Sequence, residues 1–266
     1  MLTRRLLPFG RYDMTKTGLC NRWVTKAEKE SLRRLWLAPD SDSVRKRTAI
    51  VAGILLFVDI LFVARQLLSG FVRSLGYEAG LGIFSHPKFN VSADGGIPEI
   101  FNYLKLALAS YWLLRSWKCT QAHIYWIWAV IVLTILADDA LLLHEKTGLL
   151  LRDRFGPISF LWLTAYEIGQ VMFWFVSGCF LIGLLGWGLR KTSAPDRFLG
   201  LIIGMPVLGI AFFGAAVDML NHAFEAGSFP QKMMSVVEDG GEMVSVSFVC
   251  VAAYAISKIR NKASAD

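Results

Sequence analysis

Long stretches with almost no charge alternate with short polar segments along this chain, and six of the apolar stretches approach the roughly 20 residues that a helix needs to cross a bilayer core. They run from about Ala49 to Leu68, Ile97 to Trp117, His123 to Leu143, Ile158 to Gly188, Phe198 to Leu220 and Met233 to Ile256. None shows the two-residue alternation of barrel strands. The pattern therefore predicts an all-α fold, a polytopic membrane helix bundle of about six transmembrane helices.

The polar segments between these runs are not equivalent. The first 48 residues carry 12 Lys and Arg against 5 Asp and Glu, which accounts for the +7 of the whole chain. If the N-terminus is cytoplasmic, that side holds 20 of the 28 Lys and Arg and the opposite side 6, with Arg65 and Lys105 inside spans. Cytoplasmic loops carry the excess of Lys and Arg, so both termini are expected in the cytoplasm of a cell bounded by its inner (plasma) membrane. The chain then divides into a basic arm (1–48), a transmembrane domain (49–257) and a short cytoplasmic tail (258–266). Within the arm, Lys26 to Leu37 reads as a short helix with Leu32, Leu35 and Trp36 on one face, either lying on the membrane surface or solvated. The opening MLTRRLLPFGRYD lacks a signal-peptide pattern, so the first span is expected to serve as an uncleaved anchor.

Composition agrees with this picture. Hydrophobic residues make up 55% and charged residues 18%, with mean hydropathy +0.47, where a soluble domain carries roughly 25% charged residues. A pI of about 9.3 arises in the arm, beside a span, where basic residues orient the chain and touch anionic lipid; nucleic acid is not implied. Cys20, Cys119, Cys179 and Cys250 show no CxxC spacing and fall on the cytoplasmic side or the inner half of the membrane, so no disulfide is expected. In the fifth run Gly200 and Gly204 form a GxxxG pair, followed by Pro206, Gly209 and Gly214, a signature of close helix packing.

The candidate chemistry lies in ionisable residues placed where they are costly. A charge at the bilayer centre costs about 2.5–3.5 kcal/mol on insertion scales, so it lines a cavity or meets a partner. Asp138, Asp139, His144 and Glu145 close the third span; Glu167 lies early in the fourth; Asp218, His222 and Glu225 close the fifth; Glu238, Asp239 and Glu242 open the sixth. Since successive spans run in opposite directions, these groups share one layer near the non-cytoplasmic surface. Asp218, His222 and Glu225 stand at i, i+4, i+7, Glu238 and Glu242 at i, i+4, and Asp138 and Glu145 seven apart, so each set shares a helix face. Elsewhere Asp59 is mid-span in the first helix, where Arg65, six residues on, is a poor helical partner, and Lys105 in the second span is its candidate counter-ion.

A crowd of carboxylates at low dielectric repels itself unless protons or cations neutralise it. Three explanations follow. A divalent metal (Zn, Fe or Mn) suits a mixed His and carboxylate set, with Asp138, Asp139, His144, Glu145, Asp218, His222 and Glu242 as candidate ligands. Glu238 or Glu167 could then act as general base on a metal-bound water, giving a metal-dependent hydrolase of a lipid or other amphiphile. Alternatively, protonated acids form the path of a proton- or cation-coupled transporter. In the third case the layer only stabilises the bundle or binds a partner, as in a non-catalytic membrane subunit. No nucleotide fingerprint or GxSxG elbow is present.

The stretches DDALLLHE (Asp138 to Glu145) and EDGGEM (Glu238 to Met243) resemble motifs of uncharacterised bacterial multi-pass membrane proteins that pair a DDxxxxHE-like segment with a later EExxE-like helix start. The resemblance implies a shared site and no particular activity. Membrane hydrolases similar to alkaline ceramidase set zinc between helices with histidines and an acid. Their HxxxH pair is absent here, and Asp218-x-x-x-His222 stands where it would be sought.

Overall fold

The computed structural model describes residues 41–74, 86–93, 95–156, 159–160, 163–221, 224–225 and 228–263. The basic arm up to residue 40, with its expected helix at Lys26 to Leu37, and His222 lie outside the described residues. The chain is an all-α helical bundle. Its helices are α1 (Ser41–Ser74), α2 (Ile97–Thr120), α3 (His123–Leu141), α4 (Leu143–Phe155), α5 (Ala165–Lys191), α6 (Ala194–Ala211), α7 (Asp218–Asn221) and α8 (Phe229–Ala263). A six-residue π-helical segment, Phe212–Val217, joins α6 to α7. A single 3-10 turn, Pro87–Phe89, precedes α2, and two antiparallel two-residue strands, β1 (Ser159–Phe160) and β2 (Leu163–Thr164), precede α5.

Among the described residues, five helical stretches are long and apolar enough to cross a membrane: Asp42–Val72, His123–Leu141, Ala165–Lys191, Ala194–Asn221 and Phe229–Asn261. Helix α2, expected as the second span, is not among them. Lys105 and Arg115, with Asn102, Ser110 and Ser116, dilute its apolar content. Its place in the bundle explains why that is tolerated: α2 packs on both α3 and α8, and Lys105, Ser110 and Ser116 are all buried. The fourth expected run also starts late. Residues 159–160 and 163–164 form the short strand pair, and the helix begins at Ala165 behind a Thr164–Glu167 capping box.

Helix α8 is the axis of the bundle, with α1, α2 and α6 against it, while α3 bridges α2 to α5 and α6. The core holds Leu106 and Leu113 from α2, Tyr125, Ile127 and Val132 from α3, Ile203 from α6, and Val249 and Ala253 from α8. The GxxxG pair seats α6 on α3. A Cβ at Gly200 would lie 2.5 Å from Ile124 Cγ1, and Gly204 faces Trp128. Where α3, α6 and α8 meet near their charged ends, Asp196 accepts from Tyr125 Oη (2.6 Å) and pairs with Arg260 (2.7 Å). By contrast, α1 and α5 turn large apolar side chains outward, among them Phe57, Phe71, Phe175 and Phe180. Those are the faces a lipid environment would cover. Cys119, Cys179 and Cys250 are free thiols.

Candidate functional site

At the end of the bundle where α2 and α8 begin and α3 finishes, a cleft of about 110 Å³ opens between helices. It is lined by Val91, Ser92 and Ala93 ahead of α2, Glu99 and Asn102 from the first turns of α2, Asp139 from α3, and Asp239, Glu242 and Met243 from α8. Its volume suits a few waters or one small ion. Among the described lining residues are four carboxylates and no Lys, Arg or His.

Local structure sets each of these groups. Glu99 is held by the Gly95 amide and the Tyr103 hydroxyl, and Asp239 by the Ser92 hydroxyl. Asn102 Oδ1 is buried at the wall with no donor among the described residues. Arg65 of α1 anchors the segment that leads into the cleft, donating to the carbonyls of Phe89 (3.0 Å) and His86 (3.2 Å). The charged neighbours of Glu242 are Asp139, Asp239, Glu238 and Asp218. Room for its carboxylate comes from the π-helical segment, where a Cβ on Gly214 would overlap it. π-Helical turns are frequent at functional sites.

The expected layer of acids is thus partly assembled, but not as a ligand shell. Asp139 and Glu242 meet in the cleft with Asp239, joined by Glu99, which the sequence reading passed over. Asp138 and His144 instead face each other. One Asp138 oxygen accepts the His144 amide and the other pairs with His144 Nδ1, both at 2.9 Å. The helix breaks at Leu142, whose φ of +52° is left-handed, so Glu145 opens a new helix and no longer aligns with Asp138. Asp218 lies beyond the π-helical segment, at the start of α7, and Glu225 lies outside any helix. Asp218 and Glu225 therefore do not share a helix face, and His222 lies outside the described residues.

The two carboxylates expected as general bases have other engagements. Glu238 accepts from Asn221 Nδ2 (3.2 Å), and Glu167 accepts from the Thr164 amide (2.6 Å) in the capping box of α5. Neither lines the cleft. Among the described residues no three His, Cys, Asp or Glu side chains gather as a metal-ligand group. The expected Zn, Fe or Mn centre on Asp138, Asp139, His144, Glu145, Asp218 and Glu242 is not formed by the described side chains.

Directly below the cleft lies the expected partner of Asp59. The Lys105 ammonium donates to Asp59 Oδ1 (2.9 Å), the Met243 carbonyl (3.0 Å) and Ser247 Oγ (3.1 Å). Ser247 in turn donates to Asp59 Oδ2, and the Phe101 ring faces the ammonium at 4.8 Å. Asp59 is 0% and Lys105 1% exposed, so every charge here is matched inside the protein. Met243 belongs to both places: it lines the cleft and accepts from Lys105.

The Asp138–His144 pair lies at the edge of the bundle and gives a pH-dependent expectation. Burial alone would pull the His144 pKa down. The hydrogen bond and negative charge of Asp138, helped by Glu145 and Asp139, outweigh it and raise the pKa above the ordinary value of 6.5. A group whose pKa is raised on folding stabilises fully below its unfolded pKa and loses that contribution as pH climbs through the folded one. Thermal stability in detergent should therefore be highest below about pH 6.5 and fall above it, and Asp138→Asn should flatten that slope. An unchanged slope in the variant would remove His144 as its source.

A family model described as "domain of unknown function (DUF8692)" matches residues 90–256. The matched segment takes in all the residues that line the cleft, together with Lys105 and Ser247, and starts after α1. No curated protein and no solved structure matches the chain.

Proposed function

Since the chain belongs to the DUF8692 family, whose description assigns no activity, we propose a function from the cleft and the pair beneath it: a membrane transport module that admits a small cation or a proton. The observation that carries this reading is the double role of Met243, which lines the acidic cleft while its carbonyl holds the Lys105 ammonium at 3.0 Å. An acceptor-lined opening attracts positive charge. One residue further in, a fully buried ion pair offers a place where that charge can be exchanged. Intramembrane ionisable groups that face a cavity mark ion and proton pathways.

Orientation follows from the Lys and Arg count. With 20 on the side of the termini and 6 on the other, the N-terminus is cytoplasmic and the cleft opens on the non-cytoplasmic face of the plasma membrane. Hydrolysis of a lipid or amphiphile is less well supported, because Glu167 and Glu238, its expected bases, are engaged away from the cleft.

Purified protein in liposomes tests the transport reading. A proton or cation gradient should dissipate faster than in empty vesicles, followed with an internal pH dye or by isotope uptake. Glu242→Gln should slow that flux at least about tenfold, because it removes from the cleft wall a carboxyl that can exchange a proton or balance a cation. Glu145→Gln, whose carboxylate is outside the cleft, should transport like the unaltered protein. Equal flux in empty and loaded vesicles, or a fully active Glu242→Gln, would end the proposal.

A further inference from the structure

The surroundings of Lys105 are those of a cation-binding site that already contains a cation. A carboxylate oxygen, a peptide carbonyl and a hydroxyl lie 2.9, 3.0 and 3.1 Å from Nζ, and an aromatic face closes the site at 4.8 Å. Lys is a compact point charge on a flexible stem of four methylenes. Oxygen ligands together with a π face are also what recognises a free ammonium or an alkali ion. The distinction between a structural ion pair and an exchangeable one lies in whether the resident ammonium has anywhere to go.

Here it does. Lys105 already bonds the carbonyl of Met243, and the adjacent residue, Glu242, lies in a cleft with Glu99, Asp139 and Asp239. We infer that Asp59, Ser247 and the Met243 carbonyl form a site for a small monovalent cation of ammonium or alkali-ion size, and that Lys105 is its tethered occupant, displaced toward the cleft carboxylates when an external cation enters. The exchange balances. One positive charge arrives beside Asp59, the Lys105 ammonium moves to the neighbouring acids, and no proton needs to be transferred. The inference rests on the cleft being the route of access, and it adds the ligand class and the residue that competes with it.

The site can be tested without transport. Lys105→Met fills the space of the stem but leaves the Nζ position vacant, and Lys105→Ala vacates the volume of a propylammonium ion. In purified, detergent-solubilised protein, ammonium or potassium should raise the Tm of Lys105→Met, and propylammonium that of Lys105→Ala. At a hundredfold excess over Kd the rise should be about 5–10 °C. Choline, too large for the site, should raise neither, and adding Asp59→Asn should abolish the effect. Should neither single variant fold, unaltered protein decides the matter. Acylation of Lys105, mapped by mass spectrometry, should proceed about tenfold faster in potassium than in choline, the ratio that 1.4 kcal/mol of displacement gives. Rescue by choline as well as by ammonium, no rescue by any small cation, or identical Lys105 labelling in both salts would overturn the inference. Flux that is lost while the Tm effect persists would discard the transport reading alone.

Discussion

Asp59→Asn is expected to destabilise the protein by about 3–5 kcal/mol, the range measured when one partner of a buried ion pair is removed. The cost comes from what remains. Lys105 is 1% exposed, so where it stands beside residue 59 its ammonium has no contact with water, and its other partners, Ser247 Oγ and the Met243 carbonyl, are neutral. Asn retains the shape and one acceptor but not the charge that balances the ammonium. The double variant Asp59→Asn with Lys105→Met should recover more than half of the loss, because it leaves no lone charge and a similar packed volume. Reversible unfolding in mixed micelles, carried through all four members of the cycle, gives the coupling directly. A coupling energy near zero would mean that the two groups do not depend on each other.

This pair was also the part of the interior most legible in the sequence. Two ionisable residues of opposite sign, each near the middle of a mostly apolar run, have few other ways to be satisfied. The long apolar stretches and the glycine spacing in α6 were legible for similar reasons, since both reflect requirements that hold along a whole helix. What could not be read was local. Nothing in ALLLHE announces a helix break: left-handed residues at helix ends are usually Gly or Asn, and here the position is Leu142. The break is stabilised from a distance, by Asp138 accepting the His144 amide, so a motif that reads as a row of ligands is in part a cap.

The same holds at the other end of the layer. Face assignments at i, i+4 and i+7 assume 3.6 residues per turn, and the π-helical segment at Phe212–Val217 resets the register immediately before Asp218. Glu99 falls outside the layer for a different reason: the shared depth is defined by acids of the third to sixth runs, whereas Glu99 stands in the first turn of α2 at the same end of the bundle. The strand pair before α5 had a local warning in Gly156-Pro157, a dipeptide that punctuates helices.

Gly169→Ala is expected to cost about 1–3 kcal/mol or somewhat more, as overpacking of a close-fitted contact does, despite the higher helix propensity of alanine. A Cβ there would lie 2.7 Å from Gly148 Cα, 2.8 Å from the Thr147 carbonyl oxygen and 3.0 Å from the Gly148 amide nitrogen. All three are backbone atoms of α4, so no rotamer change can relieve the contact and the two helices must move apart. The reciprocal position behaves alike, since a Cβ on Gly148 would lie 2.7 Å from the Tyr166 carbonyl oxygen. Gly183 of the same helix provides the control. It has nothing within 4 Å, so Gly183→Ala should be neutral or stabilise by up to about 1 kcal/mol, the propensity difference alone. Thermal unfolding of the two variants side by side separates packing from propensity. Equal effects would mean that α4 does not lie against α5 at this crossing. Because α4 carries His144 at its first turn, separation of the two helices should also weaken the Asp138–His144 pair, so Gly169→Ala should lose part of the pH-dependent stability that Gly183→Ala retains.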